Sequence, residues 1–127
     1  MSKKNLRSNR GMKVIYNDKF LNAISWFMKV GGITLFPWVI LRERYRDNPY
    51  YVEKAKSIIN HESIHIEQQK ELLVVVFYLW YFIEWLIRLF MKGDAYRNIS
   101  FEREAYSNQD NTEYLKTRRL YSFLKYI

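Results

Sequence analysis

The 127-residue chain has no cysteine, only two histidines and two prolines, and four glycines. Without cysteine it cannot form a disulfide or a thiolate metal site, so any metal ion would have to be bound by histidine and carboxylate groups. The absence of cysteine does not identify the compartment, because a cysteine-free protein folds in either redox environment. The few prolines and glycines leave long stretches with no helix breaker.

Acidic residues are also scarce: 13 Asp and Glu stand against 21 Lys and Arg, which gives a net charge of +8. Basic residues are concentrated in segments 1–19 and 116–125. We expect a basic flexible arm at residues 1–12 and a single domain at residues 13–127. The alternative for the basic ends is attraction to an anionic membrane surface. Nucleic acid is disfavoured as a partner because no groove-reading motif is recognisable.

The basic N-terminal segment is not followed by the apolar run of a signal peptide. A cleaved signal peptide is therefore not expected. This favours a cytoplasmic location, with membrane association kept open by the basic ends.

Both histidines lie in one string, His61-Glu62-Ser63-Ile64-His65, which has the pattern H-E-x-x-H. Residues four apart share one face of a helix, so His61 and His65 can bind the same metal ion. Glu62 would lie beside them, where a carboxylate can take a proton from water. Catalytic zinc needs three protein ligands and an open fourth position, so the pattern requires a third ligand elsewhere.

The segment after Asn48 predicts a long helix, because no glycine or proline interrupts the chain from Tyr50 to Met91. A straight helix would place Met91 about 39 Å beyond His65. The residues from there to Glu102 reach only roughly 36–40 Å when fully extended. A ligand near Glu102 could then scarcely return to the histidines, so we expect the helix to turn within residues 68–78.

Downstream, the segment Phe101–Tyr106 resembles the E-x-x-A-[DY] element of gluzincin-type zinc metallopeptidases. Together with H-E-x-x-H, it makes the chain similar to that family at the level of two motifs and their order. The resemblance implies a zinc ion bound by His61, His65 and Glu102. It also implies that Ala105 lets the two metal helices approach closely.

Glu104 is the alternative third ligand, although it points about 160° away from Glu102 on a helix. A solvated Glu-Arg-Glu surface is the bland alternative for this segment. Tyr106 departs from the family pattern, because many members have an aspartate there that holds a ligand histidine. Another group must therefore orient the imidazole, or the metal is bound less firmly.

The family also implies an edge strand before the metal helix, along which a peptide substrate adds as a further strand. Gly32–Leu41 matches it, and the apolar run Ile33–Leu41 predicts one strand. Pro37 indicates that this strand lies at a sheet edge or is bent there. Lys13–Tyr16 predicts another short strand.

Leu72–Met91 is apolar except for Glu84 and Arg88, which could pair one helical turn apart. We favour a buried helix packed over the metal helix, with a membrane-embedded or interfacial helix as the alternative. Three further helices are predicted, at Asp18–Val30, at Ile99–Ser107 and in a C-terminal segment capped by Thr112.

These patterns predict an α+β, mostly helical, zincin-like fold with a metal-binding helix preceded by an edge strand, a long apolar helix and a second metal helix. The expected function is a small zinc metallopeptidase that cleaves a peptide or protein substrate with Glu62 as general base. The alternative is a non-catalytic membrane- or partner-binding module with a degenerate site. Four side chains are candidates for stabilising the oxyanion: Tyr96, Arg97, Arg103 and Tyr106. For Asn60, Gln68 and Gln69, helix-surface positions are favoured over roles in the cleft.

Overall fold

The computed structural model describes residues 12–24 and 31–127. It is α+β and mostly helical, as predicted. The elements, in chain order, are β1 (Lys13–Tyr16), α1 (Asp18–Ile24), β2 (Gly32–Leu35), β3 (Trp38–Leu41), α2 (Arg44–Asp47), α3 (Val52–Glu71), α4 (Val75–Leu89), α5 (Ser100–Asn108) and α6 (Tyr114–Thr117). Two 3₁₀ turns, Pro49–Tyr51 and Ser122–Tyr126, complete the set.

The N-terminal predictions fall partly outside the described residues. The strand at Lys13–Tyr16 is confirmed, and the helix predicted at Asp18–Val30 is described as far as Ile24. Of the basic arm, only Met12 is described; it is buried in the hydrophobic core beside Val39, Leu41 and other apolar residues. The remainder of the arm and residues 25–30 lie outside the described ranges.

The three strands form one sheet in the order β1-β3-β2. β1 pairs with β3 in parallel, and β2 pairs with β3 in antiparallel register, with Thr34 opposite Val39. The prediction of one strand over Ile33–Leu41 is therefore wrong. Pro37 has no N–H to continue a ladder, and the chain turns at the cis Phe36-Pro37 bond to form a hairpin. The edge strand before the metal helix is the shorter β2.

Helix α3 carries the two histidines and is surrounded on all sides near its C-terminal end. Asn48 starts the segment, because its Oδ1 accepts a hydrogen bond from the Tyr50 amide. Every residue from His61 to Ile66 is buried. Helix α5 and strand β2 both pack against α3, which explains why this part of the helix has no solvent-facing side.

The chain turns sharply after α3, within the predicted interval. Helix α3 ends at Glu71, α4 begins at Val75, and the bend between the two helices is 112°. Leu73 and Val74 have φ values of 55° and 58°, a conformation unfavourable for residues with a Cβ. Tertiary contacts hold the turn: the buried Glu71 carboxylate accepts hydrogen bonds from Arg118 and from a backbone amide of the C-terminal segment.

The expectation that the apolar segment after the turn is buried is wrong for most of its surface. Only Phe77 and Glu84 of α4 are buried. Leu79 remains 59% exposed and Phe90, just past the helix, 90% exposed. Among the described helices none is long and apolar enough to cross a membrane alone; α3 with its preceding turn and α4 pass this test together, but as a bent pair.

Glu84 and Arg88 do not form the predicted pair. Glu84 turns inward, where its carboxylate accepts hydrogen bonds from the backbone amide and hydroxyl of Ser100. Ser100 is the first residue of α5, whose predicted range is confirmed. Glu84 therefore anchors α4 to α5, the helix that carries Glu102.

The C-terminal helix predicted after Thr112 is wrong in extent. The chain forms the one-turn helix α6, an extended residue at Arg118 and a 3₁₀ turn. The extended backbone lets Arg118 send its side chain inward to Glu71 and Glu104. Phe123 then closes the core, with its ring centroid 4.5 Å from that of Phe101.

Candidate metal centre

Three ligand-type atoms from α3 and α5 converge at one buried point. The Nε2 atoms of His61 and His65 are 3.1 Å apart. Oε1 of Glu102 lies 3.1 Å from the first and 3.0 Å from the second. All three residues are buried, and their donor atoms form a group that could hold a metal ion. The structure thus brings together the three residues predicted as ligands.

The hydrogen bonds of the two imidazoles leave both Nε2 atoms facing the common point. Nδ1 of His65 lies 2.7 Å from Oε1 of Gln68, and Nδ1 of His61 lies 2.8 Å from Oε1 of Gln109. An amide oxygen only accepts, so each Nδ1 carries a hydrogen, and each ring, once it is deprotonated at Nε2, presents a lone pair there. Two lone pairs and a carboxylate oxygen at this spacing repel one another unless a cation lies between them. The donor set therefore fits a metal ion.

Two other contacts of the Gln68 side chain fix the orientation of its amide group. Its amide nitrogen donates to the Phe101 carbonyl and to Oε1 of Glu104. Its oxygen must therefore face His65. The expected helix-surface position of Gln68 is wrong, because the residue is completely buried.

Gln109 is a site residue that was not predicted from the sequence. It follows α5 in a polar stretch that predicts only a loop. Asn60, on the metal helix, fixes this loop by donating to the backbone carbonyls of Asn108, Gln109 and Asn111. The weak signal in the sequence was Asn60 directly before His61, although a helix-surface position was favoured for it.

Tyr106 does not take over the missing aspartate's hydrogen bond. Its ring packs edge-on against the His61 imidazole, with centroids 4.5 Å apart. The two glutamines supply the contacts to Nδ1, so imidazole orientation is achieved by neutral acceptors. A neutral acceptor raises ligand basicity less than a carboxylate does.

Electrostatics couple Glu102 to the histidines. Burial opposes ionisation of Glu102, but His65 and His61 outweigh it and lower the pKa of the carboxyl well below its usual range. Burial lowers the pKa of His65, yet Glu102 and Glu62 together raise it to about 9. The second Glu102 oxygen accepts a hydrogen bond from the Tyr81 hydroxyl at 2.8 Å, which ties α4 to the centre.

Glu104 belongs to a separate buried network. It is fully buried, and its carboxylate accepts hydrogen bonds from Arg118, Tyr114 and Gln68. The solvated Glu-Arg-Glu surface is therefore wrong for this residue. The group of ligand atoms that could hold a metal ion contains Glu102 and not Glu104.

Glu62 lies beside the ligand group and is held by the edge strand. The hydroxyl of Thr34 donates to Oε2 of Glu62. Oε1 lies next to Gly32, where an added Cβ would come within 3.4 Å of it and within 2.5 Å of a Leu41 methyl group. A side chain at this position of β2 would therefore clash with Leu41, its partner across the hairpin, whereas its contact with the Glu62 carboxylate would be an ordinary one.

A cleft of about 510 Å³ opens over Glu62, His65 and Glu102. Residues 32–34 of β2 form one wall. The opposite wall is aromatic and comes mainly from α4, through Phe77, Tyr78, Tyr81, Phe82 and Trp85, with Ile24, Ile33, Gln69 and Tyr96 completing the lining. The volume is within the range of small-ligand sites.

The outer edge of β2 is open over a short stretch. Arg42 donates to Gly31 across the hairpin, so the alternation of an antiparallel pair directs the backbone groups of Gly32 and Thr34 away from β3. Gln69 and Tyr78 donate to the Thr34 carbonyl. The N–H and C=O of Gly32 and the N–H of Thr34 therefore form the remaining edge.

The four candidates for stabilising the oxyanion differ in their contacts. Tyr96 lines the cleft, and its hydroxyl lies 3.3 Å from that of Tyr106. The Arg97 guanidinium stacks on the Tyr106 ring at 4.0 Å. Arg103 donates to the Tyr126 carbonyl instead. Tyr96 is thus the one of the four that borders the cleft.

Comparison with protein-family models, curated proteins and solved structures yields no match to this chain.

Proposed function

We propose that this protein is a small zinc-dependent metallopeptidase of zincin-like fold, similar to the gluzincins. The single observation that carries the proposal is the buried convergence of His61, His65 and Glu102 beside a cleft that contains Glu62. Two histidines and one carboxylate are a donor set typical of catalytic zinc.

The chain's own residues divide the chemistry between them. His61, His65 and Glu102 would hold the metal, which when bound acidifies water and polarises a carbonyl group as a Lewis acid. Glu62 would accept the water proton at Oε1 and deliver it to the departing amine, while Thr34 holds Oε2 in place. Tyr96 at the cleft wall would donate a hydrogen bond to the carbonyl oxygen as negative charge develops there.

The substrate is proposed to be an extended peptide with apolar side chains. Its backbone would pair with the open edge at Gly32 and Thr34, as in β-strand addition. The aromatic wall from α4 would receive an apolar side chain. Because Gln69 and Tyr78 occupy the Thr34 carbonyl, only a short stretch of peptide can pair in this way.

Metal analysis with a peptide-cleavage assay tests the proposal. Purified protein should contain one zinc ion per chain and cleave members of a broad library of unstructured peptides. Glu62→Gln should keep the zinc and lose cleavage by about 100-fold or more, because the proton acceptor is gone. His61→Ala should lose both the zinc and the cleavage.

Glu67→Gln is a matched control on the same helix, since Glu67 forms an ion pair with Lys70 rather than joining the ligand group. It should keep both zinc and activity. Absence of stoichiometric zinc in wild type, with unchanged stability of His61→Ala, would contradict the proposal.

A second candidate is a non-catalytic membrane- or partner-binding module, which the exposed apolar surface of α4 favours. In that case zinc would bind, but wild type and Glu62→Gln would be equally inactive against the library. The same pair of proteins therefore separates the two candidates.

A further inference from the structure

Helix α4 presents an unusually apolar surface to solvent. We use the term apolar face for the exposed side chains of α4 from Val75 to Leu89, continued by Phe90 and Met91. Leu79, Phe82 and Ile87 are each more than half exposed. The one acidic residue of the segment, Glu84, points inward to Ser100. Contiguous apolar surface of this kind marks an interaction site.

A second exposed apolar group adjoins this helix. The 3₁₀ turn at the C-terminal end packs beside α4, with the Phe123 ring centroid 5.1 Å from that of Trp80. On the same turn and just before it, Leu120, Tyr121 and Leu124 are exposed. The apolar face therefore continues from one element onto another.

Basic residues outnumber acidic ones around the apolar face, although the exposed Asp94 follows directly after Gly93. Segment 72–93 contains Arg88 and Lys92 besides the buried Glu84, and segment 114–127 contains basic residues and no acid. Arg118 of the latter turns inward and Lys116 pairs with Glu113. Arg119 and Lys125 remain at the surface. The border is complementary to an anionic surface.

We propose that the apolar face docks on an anionic lipid bilayer, with α4 lying in the interface plane. Fifteen residues of helix span only about 22 Å, which is shorter than the hydrocarbon core of roughly 30 Å. An interfacial orientation buries apolar side chains while basic residues meet the headgroups. Two copies joined by this face would instead bring the cationic border of each close to that of the other.

This docking would determine which substrates reach the cleft. Phe82 and Trp85 belong to the apolar face and also line the cleft. The cleft would therefore open at the lipid surface and take peptide segments that lie there. This consequence rests on the proposed peptidase function, whereas the docking itself does not.

Vesicle co-sedimentation tests the docking directly. The full chain is mixed with vesicles of phosphatidylcholine and phosphatidylglycerol, or of phosphatidylcholine alone. Wild type should bind the anionic vesicles, and binding should weaken as salt is added. The double variant Leu79→Gln, Ile83→Gln should bind at least about tenfold more weakly, because two exposed apolar side chains outside the cleft are removed.

The matched control is Tyr50→Gln with Val52→Gln, which changes one exposed apolar residue in the 3₁₀ turn before α3 and one at the first position of α3. It should bind as wild type does, and both double variants should keep any zinc that wild type holds. Equal binding by the two double variants, or no binding by wild type, would overturn the proposal. The proposal would also be overturned if the protein did not bind vesicles but formed a concentration-dependent dimer that the Leu79 and Ile83 changes disrupt.

Tryptophan quenching locates the contact independently of affinity. Vesicles with brominated acyl chains should quench Trp85, which lies on the apolar face. Trp85→Phe should remove most of this quenching, whereas Trp38→Phe, on strand β3, should leave it intact. Loss of quenching with Trp38→Phe instead would overturn the proposed orientation.

Discussion

Oε1 of Gln68 lies 2.7 Å from Nδ1 of His65, and the same glutamine donates through its nitrogen to Glu104. This relationship links the ligand group to the buried Arg118 network, since Arg118 donates to Glu104. It supplies His65 with an acceptor of the kind that the resemblance to gluzincins would place at the position of Tyr106 as an aspartate. The orientation of His65 thus depends on a neutral side chain from its own helix.

Gln68→Met should lower zinc affinity about 10- to 100-fold, because His65 loses the acceptor that fixes its ring and its tautomer. Competition with a zinc-binding dye measures this directly. Gln69→Met is the control: Gln69 is also buried but bonds to Thr34 of β2 and to Phe36 just after that strand, rather than to a histidine. It should reduce stability and change zinc affinity much less. Equal affinity losses in both variants would contradict a specific role for Gln68.

Glu102→Gln and Glu104→Gln should differ in which property they change: the first should change the zinc content and the second the free energy of unfolding. The first removes the carboxylate that joins the histidine cluster, so zinc should be lost. The second leaves the cluster intact but breaks a buried ion pair, which should cost about 3 kcal/mol of unfolding free energy. Metal content and urea unfolding of each variant provide the two measurements. Zinc loss confined to Glu104→Gln would reverse the ligand assignment.

Thr34→Val should slow peptide cleavage by about 10-fold with zinc still bound. The substitution keeps the shape of the side chain but removes the hydroxyl that donates to Glu62, so the general base is less well positioned. Thr34→Ser keeps the hydroxyl and should retain most of the activity. The comparison is made on kcat at saturating substrate. Equal loss in both variants would indicate that the methyl group matters instead.

Stability should fall in acid because of Glu104. Burial opposes its ionisation, but Arg118, Tyr114 and Gln68 outweigh it and lower the pKa of the folded-state carboxyl below its ordinary value of 4.5. The stabilisation is therefore complete above 4.5 and is lost as the pH falls through the folded-state pKa. Urea unfolding of the metal-free protein at several pH values should show the free energy of unfolding falling in acid for wild type, and falling less steeply for Glu104→Gln. Parallel slopes would contradict the assignment.

Leu73→Gly should stabilise the protein by about 0.5–1 kcal/mol. Leu73 has a φ of 55° and is 79% exposed, so glycine relieves the unfavourable backbone conformation with little loss of packing. Leu79→Gly is the matched control, at an exposed leucine within α4, and should destabilise by about 1 kcal/mol. Thermal unfolding measures both. Destabilisation of similar size in the two variants would argue against strain at the turn.

Two kinds of feature in the candidate site were predictable: those that follow from the geometry of one helix, and those that follow from the distance a chain segment can span. Helical periodicity alone places His61 and His65 on one face of α3. The limited reach of the segment before Glu102 required a turn after α3, and the turn occurs at residues 72–74 although no breaker marks it. The hairpin at Phe36-Pro37 was predicted only in part: Pro37 indicated a bend in one strand, but not that the chain reverses into a second strand.

By itself, the sequence determined that His61 and His65 share one face of a helix, that thiolate ligands are absent and that residues 72–91 are apolar. Only the tertiary structure decided that Gln109 meets His61, 48 residues earlier, and that Glu104 pairs inward with Arg118. It also decided that α4 buries Phe77 and Glu84 and leaves most of its other side chains exposed. The physical reason is that composition and periodicity describe what a segment could bury. Contacts between distant segments determine what covers it.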